Sequence, residues 1–386
     1  MESRRWLVEK FEEAGLEATI DGVATVFGRS PQPGPALLLG SHSDSQPRGG
    51  WLDGPLGVIF ALEAARALAE DPATADLAVD IASFSDEEGS WLGALGSRSF
   101  ADAAGDWEAL QAQIPKAHGI AEVTPGDSLS AAMERAGVVG LPRVTCEPGR
   151  YLGFFEAHIE QGAKLEQSGK KIGVVHTIVG SHSYNIKITG KQNHAGTTPM
   201  PIRQDAGMSA MILGARVDEA FKAIATDQTV WTFGIASFSP GGRSIIPGGA
   251  ELAFQFRDTD GDLLLELERE LRRVSAEVAA ERNVEIVCEQ LAAGTPTAMD
   301  EALQRKIAEA AEASLGPEDW MMMPSAAGHD AAVLANVMPS SMLFIPSIGG
   351  ISHAFEENSS DEDIVRGCQV YTDACVAMLR EPSARL

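Results

Sequence analysis

PALLLGSHSDS, residues 35–45, is an apolar run of strand length that breaks off into polar side chains, as a buried strand of an α/β sheet does. DLAVDIASFSDEEGS, residues 76–90, repeats the pattern and ends in three consecutive acids. Between them GVIFALEAARAL, residues 57–68, sets apolar groups three and four apart and runs into Glu70-Asp71-Pro72, so the spacing predicts a helix that stops there. Strand, helix and strand with charged groups at the strands' carboxyl ends describe an open α/β sheet whose active site lies along that edge. Further strands are expected in YLGFF before His158 and in SSMLFIP before His353, and helices near Asp300 to Leu315 and from Asp361 to Arg380.

From about Ile178 to Ala298 the pattern changes. SYNIKITG alternates like a half-exposed strand, Asp205 to Ile224 reads as a helix, and TVWTFGIASF and AELAFQFRD read as strands. A long helix around Leu263 to Ala280 and a strand in VEIVCEQL complete a β-α-β-β-α-β order, that of a split βαβ sandwich. The chain, 386 residues long, exceeds what one core usually supports. The expected organisation is a catalytic domain over 1–178 and 299–386, interrupted by an inserted domain over 179–298.

Composition narrows the function. A formal charge of −25 argues against a nucleic-acid partner, since binding to phosphates rests on cationic groups. The first residues, MESRRWLVEKFEEAGLE, lack the apolar core of a secretory signal, and nothing approaches the roughly 18 to 20 apolar residues of a membrane span, so a cytoplasmic protein is expected. Four cysteines without CxxC spacing read as buried thiols in a reducing compartment.

His42 closes the first strand, and Asp53 follows eleven residues later, just before the helix. Alone, each is ordinarily structural, a hydrogen-bonded histidine and a helix N-cap. Asp44 lies two residues beyond His42, on the same side of an extended chain, where its carboxylate can orient the imidazole as a metal ligand. Asp86, Glu87 and Glu88 form either a solvated acidic turn or a cation-compensated cluster. Adjacent side chains of an extended chain point apart, so one glutamate can bind metal while the other faces substrate as a general base. His158 in FFEAHIEQG and His353 in GGISHAFEE complete a set of three histidines, one aspartate and one glutamate. Such nitrogen and oxygen donors suit zinc, manganese or cobalt, paired when a carboxylate bridges them. His118 and His176 read as structural.

GSHSDS…DGPLG, FSDEEGS, FFEAHIEQG, GKQNHAGTTPM, SIIPGGAELAFQFRD, AAGHDA and ISHAFEE resemble, in order over essentially the whole chain, the hydantoinase/carbamoylase family of amidohydrolases. That family holds N-carbamoyl-L-amino acid hydrolases, allantoate amidohydrolases and β-ureidopropionases, and belongs with the dizinc aminoacylases and carboxypeptidases. The resemblance implies an α/β, dizinc-exopeptidase-like catalytic domain with a mixed central sheet and an inserted ferredoxin-like lid and dimerisation domain. It implies two divalent metal ions, zinc first, with manganese, cobalt or nickel as alternatives. His42 and His158 would bind one, Glu88 and His353 the other, and Asp53 would bridge them. Glu87 would be the general base and Asp44 would orient His42. His194, of HAGTTPM, would come from the partner subunit's lid to stabilise the oxyanion, which implies a homodimer.

Gln161 and Arg257 would contact substrate, with Ser244 and His329 beside them. The plain alternative for Arg257 is an ion pair with Asp258 or Asp260. Departures from the family's pattern gather in this shell: Ser244 stands where asparagine is usual, Gly180-Ser181-His182 where Gly-Gln-Arg is usual, and Ala326 where glycine is frequent. The function implied is hydrolysis of the C–N bond of an N-carbamoyl-L-amino acid or related ureido acid bearing a carboxylate. Allantoate, or an N-acyl amino acid or dipeptide, is the alternative substrate. A non-catalytic binding protein is a third reading, against which Glu87 beside Glu88 argues. The lid is expected to swing about segments near Ile178–Ser183 and Ala298.

Overall fold

The computed structural model describes residues 1–102 and 128–381, so His118 lies outside the described residues. The chain divides into two compact units, Met1–Thr177 with Ala298–Leu386, and Ile178–Thr297.

The first unit opens with strands β1 (Glu17–Ile20), β2 (Val26–Arg29), β3 (Ala36–His42), β4 (Val79–Phe84), β5 (Tyr151–Ile159) and β6 (Ile172–Ile178). The chain then forms β7 (Gly180–Thr189), β8 (Asn193–His194), β9 (Val230–Ser239), β10 (Ile245–Ile246), β11 (Gly249–Asp258) and β12 (Glu285–Ala293) of the second unit. It returns through β13 (Thr297–Ala298), β14 (Trp320–Ser325) and β15 (Ser340–Ile345). The large sheet runs β1-β2-β4-β3-β5-β15-β6-β13, with β14 also paired to β6. Its centre is parallel, β4 with β3, β3 with β5 and β5 with β15, and its flanks are antiparallel, β1 with β2, β2 with β4 and β15 with β6.

Helices cover the sheet, so its central strands are buried at every residue of β3, β4 and β15 and read as unbroken apolar runs. Helix Pro55–Glu70 approaches so closely that a Cβ on Gly57 would stand 2.1 Å from the Ala157 carbonyl oxygen. Helix Asp361–Arg380 docks Tyr371 with its ring 4.3 Å from that of Phe155 and its hydroxyl donating to the Phe155 carbonyl at 2.8 Å. Burying one such aromatic contributes about 1.5–3 kcal/mol, and the shared hydrogen bond fixes where the helix sits along β5. Only Cys375 of the four free cysteines is fully buried; Cys146, Cys288 and Cys368 are half-buried, because they flank the core rather than fill it.

In the second unit the sheet order is β12-β7-β11-β9, antiparallel throughout. Alternation along β7 and β11 turns Tyr184, Ile186, Ile188, Phe254 and Phe256 into a core with Leu213, Phe221, Leu267 and Leu271 of helices Ala206–Ile224 and Gly261–Arg282. Asp205 and Asp260 cap these helices, accepting from the N–H groups of Met208 and of Asp262 and Leu263. The opposite sheet face carries Ser181 and Ser183 of β7 and Gln255 and Arg257 of β11. A ribbon absent from the sequence reading, β8 against β10, pairs Ile245 with His194. With only two residues in each strand it has no periodicity to detect.

Candidate metal centre

The parallel strands β4, β3, β5 and β15 end along one edge, and each delivers part of one cluster there. His42 is the last residue of β3 and His158 the penultimate residue of β5. Glu87 and Glu88 follow β4, His353 follows β15, and Asp53 precedes helix Pro55–Glu70. Potential ligand atoms of His42, Asp53 and His158 lie within 4.8 Å of one another, as do those of Asp53, Glu88 and His353. Asp53 belongs to both sets, one oxygen to each. Its Oδ1 lies 3.7 Å from His42 Nε2 and 3.0 Å from His158 Nε2, and its Oδ2 lies 2.8 Å from His353 Nε2, which stands 3.6 Å from Glu88 Oε1.

Backbone carbonyls settle the tautomers. His42 Nδ1 lies 3.0 Å from the Asp44 carbonyl oxygen and His158 Nδ1 lies 2.8 Å from that of Ile159. A carbonyl can only accept, so both Nδ1 atoms carry hydrogen, which leaves the Nε2 atoms, both aimed at Asp53, as the candidate ligand atoms. His158 Nε2 is buried with no hydrogen-bond partner although Asp53 Oδ1 is close, and Glu88 Oε1 is likewise unpartnered. Buried donor and acceptor atoms are rarely left so. Nitrogen and oxygen donor atoms converging in this way fit a divalent cation, which would displace any proton held between them.

Asp53 is not an N-cap. Gly54 occupies that position with φ 84°, and a Cβ there would stand 2.3 Å from His42 Cε1, so the glycine makes room for the ring. Asp44 also differs from expectation. Its carboxylate is 3.8 Å from His42 Nδ1 and instead accepts from the backbone N–H groups of Glu87 and Glu88, while its carbonyl orients the imidazole. A carbonyl closer to the ring takes that bond and frees the side chain to hold the acidic loop.

Gln161, expected at the substrate, donates from Nε2 to Asp53 Oδ2 at 2.7 Å. His329 is buried at 4% exposure. Its Nε2 lies 2.8 Å from Ser325 Oγ and its ring meets that of His158 edge-on at 4.6 Å, so it braces a ligand candidate. His176, expected to be structural, has Nδ1 3.0 Å from Thr177 Oγ1.

Sequence reasoning missed Glu357. Its buried carboxylate accepts from the N–H groups of Leu52 and Asp53 on one oxygen and from Ser352 Oγ and His353 N–H on the other, stitching together the loops that present Asp53 and His353. The one available cue was a second acid in AFEEN. Gln46, which donates to Glu88 Oε2 at 2.6 Å, was missed too.

Burial, then the charges of Asp330, Glu88, Glu156 and Asp44, push the Glu87 carboxyl well above the usual carboxylate range. Burial raises Glu156 to about 7, and burial with the Glu156 charge raises Asp330 to about 8. Burial alone would depress His158, but the contact with Asp53 and its charge raise it to about 9. Asp53 responds oppositely: burial would raise it, yet His158 and His353 hold it well below its ordinary value.

In the metal-free chain these groups give one direction of pH dependence. A histidine raised from 6.5 to about 9 contributes stability below 6.5 that is lost as pH climbs through 9. The raised acids bind more protons folded than unfolded, so their ionisation removes stability over the same climb. Chelator-treated protein should therefore melt at a lower temperature at pH 9 than at pH 6.5, as calorimetry can read. A melting temperature that rises across that interval would contradict the assignment.

The remaining expected residues belong to the second unit. The ribbon brings His194 beside Ser244, whose carbonyl accepts from Ala195 N–H at 3.0 Å. His194 Nδ1 accepts from the N–H groups of Gly196 and Thr197, so its proton sits on Nε2. Arg257 donates from Nε to Gln255 Oε1 at 3.0 Å. Nearby, Asp258 accepts from Thr229 Oγ1 and Asp260 caps its helix. Among the described residues no helix is long and apolar enough to cross a membrane.

Comparison with known proteins identifies the family. The chain matches the profile of Peptidase family M20/M25/M40 over residues 38–377. It is 34% identical to an N-carbamoyl-L-amino acid amidohydrolase of Geobacillus stearothermophilus over 366 residues, 93% of this chain and 86% of that protein. It is 33% identical to a ureidoglycolate hydrolase of Arabidopsis thaliana over 375 residues, 95% and 78% of the two. The crystal structure of an amidase of the hydantoinase/carbamoylase family from Burkholderia phymatum is similar with a TM-score of 0.86 and 45% identity, covering 98% of this chain and 90% of that one. With its ligand sets in one sheet edge and these matches along its length, the chain belongs to Peptidase family M20/M25/M40, among the hydantoinase/carbamoylase amidases.

Proposed function

We propose that the protein is a metal-dependent amidohydrolase that cleaves the C–N bond of an N-carbamoyl-L-amino acid or a related ureido acid. The observation that carries this reading is the division of Asp53 between two ligand sets, with the partly exposed carboxylate of Glu87 3.7 Å from His42 Nε2. The names of the Geobacillus and Arabidopsis relatives, for N-carbamoyl-L-amino acids and ureidoglycolate, support a small ureido acid as substrate.

His42 and His158 would hold one divalent ion, Glu88 and His353 a second, and Asp53 both; zinc is the first choice, with manganese, cobalt or nickel as alternatives. When bound, such ions polarise a carbonyl and lower the pKa of water to about 7. Glu87 takes a proton from the attacking water and passes it to the leaving nitrogen. Its high proton affinity, set by burial and neighbouring acids, suits both halves of that transfer. Asp44 positions it by holding the N–H groups of Glu87 and Glu88.

His194, with hydrogen on Nε2, is a donor suited to the oxyanion, and the planar Arg257 guanidinium suits the substrate carboxylate. Gln161, Ser244 and His329 complete the proposed substrate shell. A cytoplasmic homodimer formed through the second unit is the proposed working form. Exposed Ile235 and Phe238 on edge strand β9, with Met208 and Met211 on helix Ala206–Ile224, support an apolar contact there.

The test is release of ammonia by metal-stripped protein reloaded with zinc, manganese or cobalt, over N-carbamoyl-L-amino acids, allantoate and N-acetyl amino acids. Metal-dependent ammonia from a ureido acid is expected. Free amine from acyl substrates alone would move the protein to the aminoacylases, and tight binding without product would favour the non-catalytic reading.

A further inference from the structure

We infer that Arg203 is a positioning residue that holds the His194 imidazole in one orientation with its proton on Nε2, acting through the Ala195–Gly196 peptide. His194 is exposed, so no core packing fixes its ring. The loop that carries it has to do so. Thr198 Oγ1 donates to the His194 carbonyl at 2.7 Å and closes a turn. Within that turn the N–H groups of Gly196 and Thr197 donate to His194 Nδ1 at 3.0 and 3.2 Å, which leaves Nε2 as the protonated nitrogen. A Cβ on Gly196 would stand 3.3 Å from His194 Cε1, so the ring rests against bare backbone.

Arg203 grips the same turn by its carbonyls. Its Nη2 donates to the Ala195 oxygen at 2.5 Å and its Nε to the Thr198 oxygen at 3.1 Å, so one guanidinium spans the turn. The Ala195 carbonyl and the Gly196 N–H belong to a single planar trans peptide and point in opposite directions. Fixing the carbonyl therefore fixes the N–H that meets the imidazole, and a cation on that oxygen strengthens the N–H as a donor. The return path is stiff as well. Pro199 and Pro201 flank and enter the short 3-10 turn Met200–Ile202, which leads directly into Arg203. A lysine at this position would keep the charge without the rigid planar fork.

This inference rests on the proposed role of His194 as oxyanion donor, and the experiment separates the two. Zinc-loaded full-length protein with isotope-labelled histidine is compared as wild type, Arg203→Met and Arg203→Lys by proton–nitrogen correlation NMR at about pH 8, where an ordinary imidazole is neutral. His194→Phe assigns the resonances and tests the underlying reading, which fails if this variant turns over at the wild-type rate. In wild type, His194 Nδ1 should show the shift of an acceptor nitrogen and Nε2 that of an N–H. In Arg203→Met both should move toward the average of the two tautomers, with Arg203→Lys between. In the same protein kcat should fall about tenfold with KM little changed, less than the roughly 10²- to 10³-fold of losing an oxyanion donor outright. Given slow turnover by His194→Phe, the double variant His194→Phe/Arg203→Met should be no slower than His194→Phe alone, because one residue acts through the other. His194 nitrogen shifts that stay at their wild-type values in folded Arg203→Met, or in Arg203→Lys if the first variant does not fold, would overturn the assignment.

Discussion

Glu87→Gln is expected to lower kcat by about 10²- to 10⁴-fold while the metal content of the protein stays at the wild-type level. The substitution conserves shape and removes the proton acceptor. Glu87 is in neither ligand set, whereas its neighbour Glu88 is, so the two adjacent acids should separate cleanly. Glu88→Gln should lose metal, and Glu87→Gln should keep it and stall. Elemental analysis alongside steady-state kinetics reads both quantities on one preparation. Undiminished turnover by metal-loaded Glu87→Gln would remove the general base from the mechanism and leave this acid without a chemical role.

A larger effect is expected at Asp53. Asp53→Ala deletes the group shared by both ligand sets and leaves Gln161 Nε2, Ser352 Oγ and His353 Nε2 without the oxygen they face. Metal binding and activity should both be lost. The metal-free fold should weaken by about 3–5 kcal/mol, the usual cost of breaking a buried charge pair from one side. Urea denaturation of chelated wild type and variant measures the second quantity, and titration calorimetry with zinc the first. A variant that still took up two equivalents of zinc with wild-type affinity would show that the carboxylate does not join the two sets.

The readability of the fold in the sequence follows from how each element is covered. Strands β3, β4, β5 and β15 lie between layers of helix, so both faces are apolar and the runs are unbroken. In the second unit β7 and β11 alternate because only one face is covered, and their period of two is as plain as the helical period of Ala206–Ile224. The flanking strands β1, β2 and β13 are four residues or shorter and carry no such signature.

The site was legible to the extent that side-chain type carries the information. The histidines and acids of both ligand sets could be picked out, since few other residues offer such donors. The hydrogen bonds that orient His42 and His158 run to backbone carbonyls, which every residue possesses and no letter reveals. Glu357 escaped notice because its importance arises where two loops meet, its carboxylate bonding residues about three hundred positions earlier in the chain.

The position of β15, last of the sheet's strands in sequence yet inside it between β5 and β6, bears on how the protein is made on the ribosome. Synthesis completes β5 and β6 and then the whole of the second unit before residues 340–345 exist. Until then β5 exposes an unpaired backbone edge in the middle of the future sheet, the kind of surface on which nascent chains associate. The last arrival fills that gap and carries His353 behind it. Chains released early would therefore lack a completed sheet and a metal ligand together, and should be recognised by the cell as unfolded rather than persist as inactive but soluble protein.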